Sequence, residues 1–165
     1  MSLIIGYISA LVLANLSVAH FGPWVSPINA FLLIGLDLAL RDKLHDLWNG
    51  SMLWPKMLGL IASAGAMSYL LNPAAGKVAV ASVIAFCAAG LVDAVVYHYL
   101  RHKPFMQRSN VSNGAAALVD SVMFPTIAFG GLMPSIVVSQ FASKIAGGAL
   151  WSFVIWKLTR RDVTQ

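Results

Sequence analysis

Glutamate is absent from the sequence, and its six acidic residues are all aspartates: Asp37, Asp42, Asp46, Asp93, Asp120 and Asp162. Charge of either sign is scarce, at 10% of residues, where a soluble domain carries about 25%. A soluble globular protein is therefore excluded. The single cysteine, Cys87, cannot form an intramolecular disulfide and fixes no redox compartment. Nucleophile-plus-base constellations, phosphate-binding glycine loops and metal-protease motifs are all missing, so neither an enzyme nor a cofactor is expected. His98 and His102 have a spacing usable for metal, but no third ligand accompanies them and no metal site is expected.

What the chain has is apolar length. Its 165 residues are 59% hydrophobic, with a mean hydropathy of +0.78. A membrane-crossing helix needs about 20 mainly apolar residues. Such runs are read at 2–19, 24–41, 54–71, 77–100, 114–133 and 135–157, separated by breaks containing glycine or proline. The expected architecture is an all-α integral membrane protein with six transmembrane helices, a single domain over 1–165. The first run ends in "LSVAHF" but has no basic segment ahead of it, so a retained helix is expected rather than a cleaved signal.

The net charge of +5 could suit nucleic acid in a soluble protein, but here it follows topology. With six spans, Arg41, Lys43, Lys56, Arg101, Lys103, Arg108, Lys157, Arg160 and Arg161 share one side with both termini. Lys77 alone marks the other side. By the positive-inside rule, both termini are expected in the cytoplasm. Nucleic acid is not an expected partner; the lipid bilayer is.

Polar residues inside the apolar runs are the candidates for chemistry, because ionisable groups in a membrane interior are costly and mark substrate paths or relays. Asn29, Leu33, Asp37, Arg41 and His45 recur at i,i+4 and would form one helical row. Within it, Asp37 and Arg41 read as a self-compensating pair that either gates or only stabilises. Asp93 and Asp120 have no basic residue one turn away, so their partner must come from another helix or a ligand. Lys144 lies too deep for snorkelling and can pair with either of them. Asn15 and Asn29 sit in the first two spans, where lone asparagines often bridge helices. "RSNVSN" (108–113) offers Ser109, Asn110, Ser112 and Asn113, more capping residues than one helix start uses. Trp24 and Phe124 are candidates for stacking on a planar ligand. "ALVLA" (10–14) is a small-xxx-small motif suited to helix packing.

Two stretches resemble a known family. "LANLSVAHFGPWVSPINAFLLIGLDLALRDKLHD" (13–46) and "RSNVSNGAAALVDSVMFPTIAFGG" (108–131) resemble signatures of the vitamin uptake transporter (VUT) family, also called queuosine-precursor transporters. The chain looks like a compact member. The resemblance implies import of a 7-deazaguanine base, preQ0 or preQ1, across the cytoplasmic (inner) membrane. The substrate-binding candidates are then Asp93, Asp120, Asn110, Asn15, Asn29, Phe124, Trp24 and Ser112, with Asp37, Arg41 and Lys144 as gating or ion-pair residues.

Expected partners are a small heterocyclic base and, as an open alternative, a second copy of the chain in a homodimer. Six spans without an ATP site also describe the substrate-capture subunit of an energy-coupling-factor vitamin transporter. That reading would add an energising subunit, with "ALVLA" as its docking face.

Overall fold

The computed structural model describes residues 2–48, 52–103 and 105–161, and among these the chain forms six helices with no strand. Helix α1, Ser2–Phe21, buries Tyr7, Leu11, Ala14, Asn15 and Val18, an i, i+4, i+7, i+8, i+11 stripe, and exposes Ile5 and Leu13. Gly22 ends it at φ 81°, where a side chain would be strained, and Pro23 opens the next helix.

Helix α2 covers 23–48 in pieces: a 3-10 turn Pro23–Val25, α-helical Ser26–Asn29, a π-helical segment Ala30–Ile34, and α-helical Gly35–Trp48. Helix α3 spans Leu53–Leu71. Asn72 ends it and caps the following turn, its Oδ1 accepting from the Ala74 N–H at 3.0 Å. Helix α4 is Gly76–Tyr99, α5 is Phe105–Phe129 and α6 is Pro134–Arg161.

Two boundaries differ from the hydropathy reading. Helix α2 continues past 41 to Trp48, and α5 begins at Phe105 rather than at 114. Arg, Lys, Gln and Leu are good helix formers, so the helices outrun the apolar segments that locate them. Ser109, Asn110, Ser112 and Asn113 consequently lie inside α5, not at its cap. The row from Asn29 through Asp37 is also corrected. The π segment between them carries i→i+5 bonding, which shifts the register of everything after it.

Three helical stretches are long and apolar enough to cross a membrane among the described residues: Leu3–Phe21, Pro23–Leu40 and Pro73–Asp93. Composition penalises α5 and α6 because Ser112, Asp120, Ser121, Gln140 and Lys144 count as polar, yet all five are buried inside the bundle.

Two kinds of packing hold the helices. Tyr7, Leu11, Leu40, Leu44, Met57 and Phe86 form the large-side-chain core. Elsewhere small residues let backbones touch, as usual where lipid supplies no hydrophobic drive between helices. A Cβ at Gly35 would lie 2.6 Å from the Gly147 carbonyl carbon, and one at Gly147 would collide with the Phe31 carbonyl group. Only glycine permits this crossing of α2 and α6, and it falls against the π segment.

A polar cavity between five helices

A small cavity of about 30 Å³ lies between α1, α2, α4, α5 and α6. Its wall comprises Ala14, Asn15 and Val18 of α1; Ser26, Asn29, Ala30 and Ile34 of α2; Ser82 and Phe86 of α4; Asp120 and Phe124 of α5; and Gln140 and Lys144 of α6. At 1.5 Å rise per residue, these positions sit about 6–18 Å along their helices from the short connections at 22, 72–75 and 130–133. The cavity is therefore nearer that end of the bundle. Phe86 joins the large-side-chain core and closes the cavity toward the end that carries the termini.

The charged centre is an ion pair. Lys144 Nζ lies 2.5 Å from Asp120 Oδ2, with side-chain exposures of 3% and 10%. The ammonium also donates to Ser121 Oγ at 3.0 Å and to Gln140 Oε1 at 3.4 Å. Its three N–H groups are thereby occupied. Pro125, fully buried one turn after Ser121, brings no N–H to the helix ladder, which frees the Ser121 carbonyl beside this pair.

The amides are oriented by what they touch. Asn29 Nδ2 donates to the Ala14 carbonyl at 3.2 Å and to Ser17 Oγ at 2.7 Å, tying α2 to α1. A carbonyl only accepts, so the Asn29 NH₂ must face it. Asn15 Nδ2 donates to Ser68 Oγ of α3 at 3.2 Å, while the Ser68 hydroxyl donates to the Ala64 carbonyl at 2.8 Å. The Ser68 oxygen is thus an acceptor, which orients Asn15 as well. Lys144 only donates, so Gln140 presents its oxygen there and turns its NH₂ elsewhere. That Nε2 and the Ser26 Oγ are buried with no hydrogen-bond partner among the described residues.

The π segment contributes directly. Asn29 precedes it, and Ala30 and Ile34 within it line the cavity. Such segments concentrate at functional sites because the extra residue re-aims side chains and loosens the ladder.

The sequence candidates divide. Asn15, Asn29, Asp120, Phe124 and Lys144 meet at this cavity. Lys144 pairs with Asp120, which settles the choice left open between Asp93 and Asp120. Asp93 does not line the cavity: it is half-buried in α4, some seven residues past Phe86, with its Oδ1 unpartnered among the described residues. Ser112 is buried in α5 two turns from Asp120, beyond the cavity wall. Trp24 is 73% exposed in the turn that opens α2, so it stacks on nothing in the cavity. Asp37 is fully buried, while the side chains of Arg41 and Asn110 lie outside the described residues. Gln140, Ser26, Ser82 and Phe86 were not anticipated. Gln140 stands one turn before Lys144 in "SQFASK" (139–144), and the i,i+4 rule applied there would have found it.

A family model described as "Putative vitamin uptake transporter" matches residues 47–157. The chain belongs to this family. It is the family that 13–46 and 108–131 resemble, and the match takes in the second of those stretches and begins where the first ends. Membership makes this transporter a multi-pass membrane protein. Ser82, Phe86, Asp120, Phe124, Gln140 and Lys144 fall within the matched region, and Asn15, Ser26 and Asn29 precede it. No curated protein and no solved structure matches the chain.

Proposed function

We propose that this transporter imports a 7-deazaguanine base such as preQ0 or preQ1 across the cytoplasmic membrane, with the five-helix cavity as its binding site. The observation that carries the reading is the unspent hydrogen-bonding capacity of the wall. Asp120 Oδ2 is held by Lys144, and its Oδ1 accepts no hydrogen bond from the described residues. The Oδ1 atoms of Asn15 and Asn29 stand opposite the NH₂ groups already committed to neighbouring helices. A guanine-like base brings N1–H, an exocyclic NH₂ and a pyrrole N–H to such acceptors, and a carbonyl oxygen to the Gln140 NH₂. Phe124, in edge contact with Phe129 at 6.1 Å, and Phe86 offer aromatic surface to the ring. At about 30 Å³ the cavity as it stands holds about one water, so a base enters only as the helices around it part.

All six helices cross the membrane in this reading, with the termini in the cytoplasm. The cavity then lies toward the outside and the Tyr7–Leu11–Leu40–Leu44 core blocks the way in. Release inward requires α2 and α6 to part at the Gly35–Gly147 crossing, beside the π segment that can absorb the change.

The capture-subunit alternative loses the docking face assigned to "ALVLA". Ala10 and Ala14 are 3% and 6% exposed and pack within the bundle. Uptake by the transporter alone therefore separates the two readings. Purified protein should be stabilised by preQ0 or preQ1 in a thermal-shift assay, by about 2.7 kcal/mol at 100 times Kd. Asp120→Asn should remove that stabilisation. If guanine, queuine and both precursors all leave the melting curve unmoved, the substrate assignment is wrong.

A further inference from the structure

A second and much larger space lies on the outside of the bundle. Between α3 and α4 runs an open groove of about 610 Å³, inside the usual range of ligand sites, about 300–1,000 Å³. Short apolar side chains make it: Ala62, Gly65 and Ala66 of α3 line it with Ala79, Val80 and Val83 of α4. Gly65 keeps the helices close, since a Cβ there would lie 3.2 Å from Val83 Cγ2.

The polar side chains of the wall are gathered at one end. Tyr69 and Lys77 stand beside the 72–75 connection. Tyr69 is laid on the main chain of Gly76, where a Cβ would come 2.9 Å from its ring. From Asn72 back to Ala62 the groove follows α3 for about 15 Å, half of a hydrocarbon core of about 30 Å. A cation and a tyrosine at the membrane interface, above an apolar trough one leaflet deep, match the headgroup and one acyl chain of a phospholipid.

Charge decides between a lipid and a second copy of the chain. Lys77 is exposed and makes no ion pair among the described residues. A second copy inserted in the same orientation has no carboxylate to bring to it. Of the six acids, Asp37 and Asp120 are buried, Asp42, Asp46 and Asp93 lie toward the opposite ends of α2 and α4, and Asp162 comes after the last residue of α6. The occupant must carry its own anion. A zwitterionic headgroup brings a cation along with its phosphate, whereas an anionic headgroup leaves Lys77 as the counter-charge.

We infer that the α3–α4 groove binds an anionic phospholipid of the bilayer, one acyl chain lying against Ala62, Ala66 and Val80 and the phosphate meeting Lys77 beside the Tyr69 hydroxyl. The inference rests on the chain's crossing the membrane, not on the substrate proposed above.

The test titrates full-length protein in detergent with palmitoyl-oleoyl phosphatidylglycerol and with the phosphatidylcholine of the same chains, counting retained lipids by native mass spectrometry. Wild type should retain one more phosphatidylglycerol than Lys77→Gln, with about fivefold higher affinity, the order of one lysine's attraction to an anionic membrane surface. Lys77→Arg should restore it. Ala66→Phe fills the groove without changing charge and should expel the same molecule. Ala62→Phe does so from the next turn of α3 if Ala66→Phe fails to fold. Equal retention of the two lipids by wild type overturns the inference. So does phosphatidylglycerol retention unchanged in Lys77→Gln, or unchanged in the groove-filling variant that folds. A two-chain species that the filled groove splits into single chains would assign the face to a second copy and overturn it as well. No base enters this experiment, so its failure is separate from failure of the substrate assignment.

Discussion

Lys144 Nζ sits 2.5 Å from Asp120 Oδ2, each on a different helix and each nearly shut off from solvent. Neither residue has an opposite charge on its own helix face, so α5 and α6 must pack in one register to satisfy both. The pair therefore fixes a wall of the cavity and cancels its charge at once.

Removing one partner strands the other. Asp120→Asn or Lys144→Met alone should destabilise the protein by about 3–5 kcal/mol, the cost of an uncompensated buried charge. The double variant should recover much of that loss, because a neutral pair of similar volume carries no desolvation penalty. Thermal melting in detergent of both single variants and the double variant gives the coupling. Additive losses would show that the two side chains do not depend on one another.

The crossing of α2 and α6 tolerates no side chain. A methyl at Gly147 meets the Phe31 carbonyl, and one at Gly35 meets the Gly147 backbone. Main chain cannot rotate away as a side chain can, so Gly147→Ala should cost at least about 1–3 kcal/mol. Gly59→Ala, where a Cβ meets nothing within 4 Å, should be tolerated and serves as the comparison. Equal melting temperatures for the two variants would contradict the close approach.

Cavity and surface aromatics should separate cleanly in uptake. Phe124→Ala removes wall surface from the site and should reduce substrate affinity several-fold, since an aromatic contact contributes about 0.5–1.5 kcal/mol. Trp24→Ala, outside the cavity and 73% exposed, should leave uptake within twofold. A larger loss in Trp24→Ala than in Phe124→Ala would move the site to the α1–α2 turn.

Asn29 joins α2 to α1 through Ala14 and Ser17. Hydrogen bonds between membrane helices contribute about 0.6 kcal/mol on average and up to about 1.7. Asn29→Leu should therefore lower stability by that modest amount while reducing substrate binding more strongly, because it also removes a free Oδ1 from the wall. Parallel loss of stability with intact binding would make Asn29 a helix tie only.

Orientation is read with single cysteines on a Cys87→Ser background. A membrane-impermeant thiol reagent added to intact cells should label Lys77→Cys and spare Lys103→Cys. Permeabilisation should expose the latter. The reverse pattern would place the termini outside and turn the cavity toward the cytoplasm.

Much of this was written in one dimension. Apolar runs with glycine or proline between them give helices and their order, because a chain this poor in charge has only one environment in which to satisfy its backbone. Cost singles out residues as well: Asn15, Asn29, Asp120 and Lys144 are conspicuous because such groups are expensive in an apolar helix, and they meet at one cavity. Asp93 and Trp24 were equally conspicuous and stand apart, because local pattern says that a polar residue needs a reason but not which face of the bundle supplies it. Three things were decided only by tertiary structure. Lys144 chose Asp120 over Asp93 by helix packing, the π segment re-registered α2 against the glycine seam, and Gln140 acquired its role from the lysine that holds its oxygen. Each depends on which helices touch and at what height, a relation between residues far apart in the chain that no periodicity within one helix encodes.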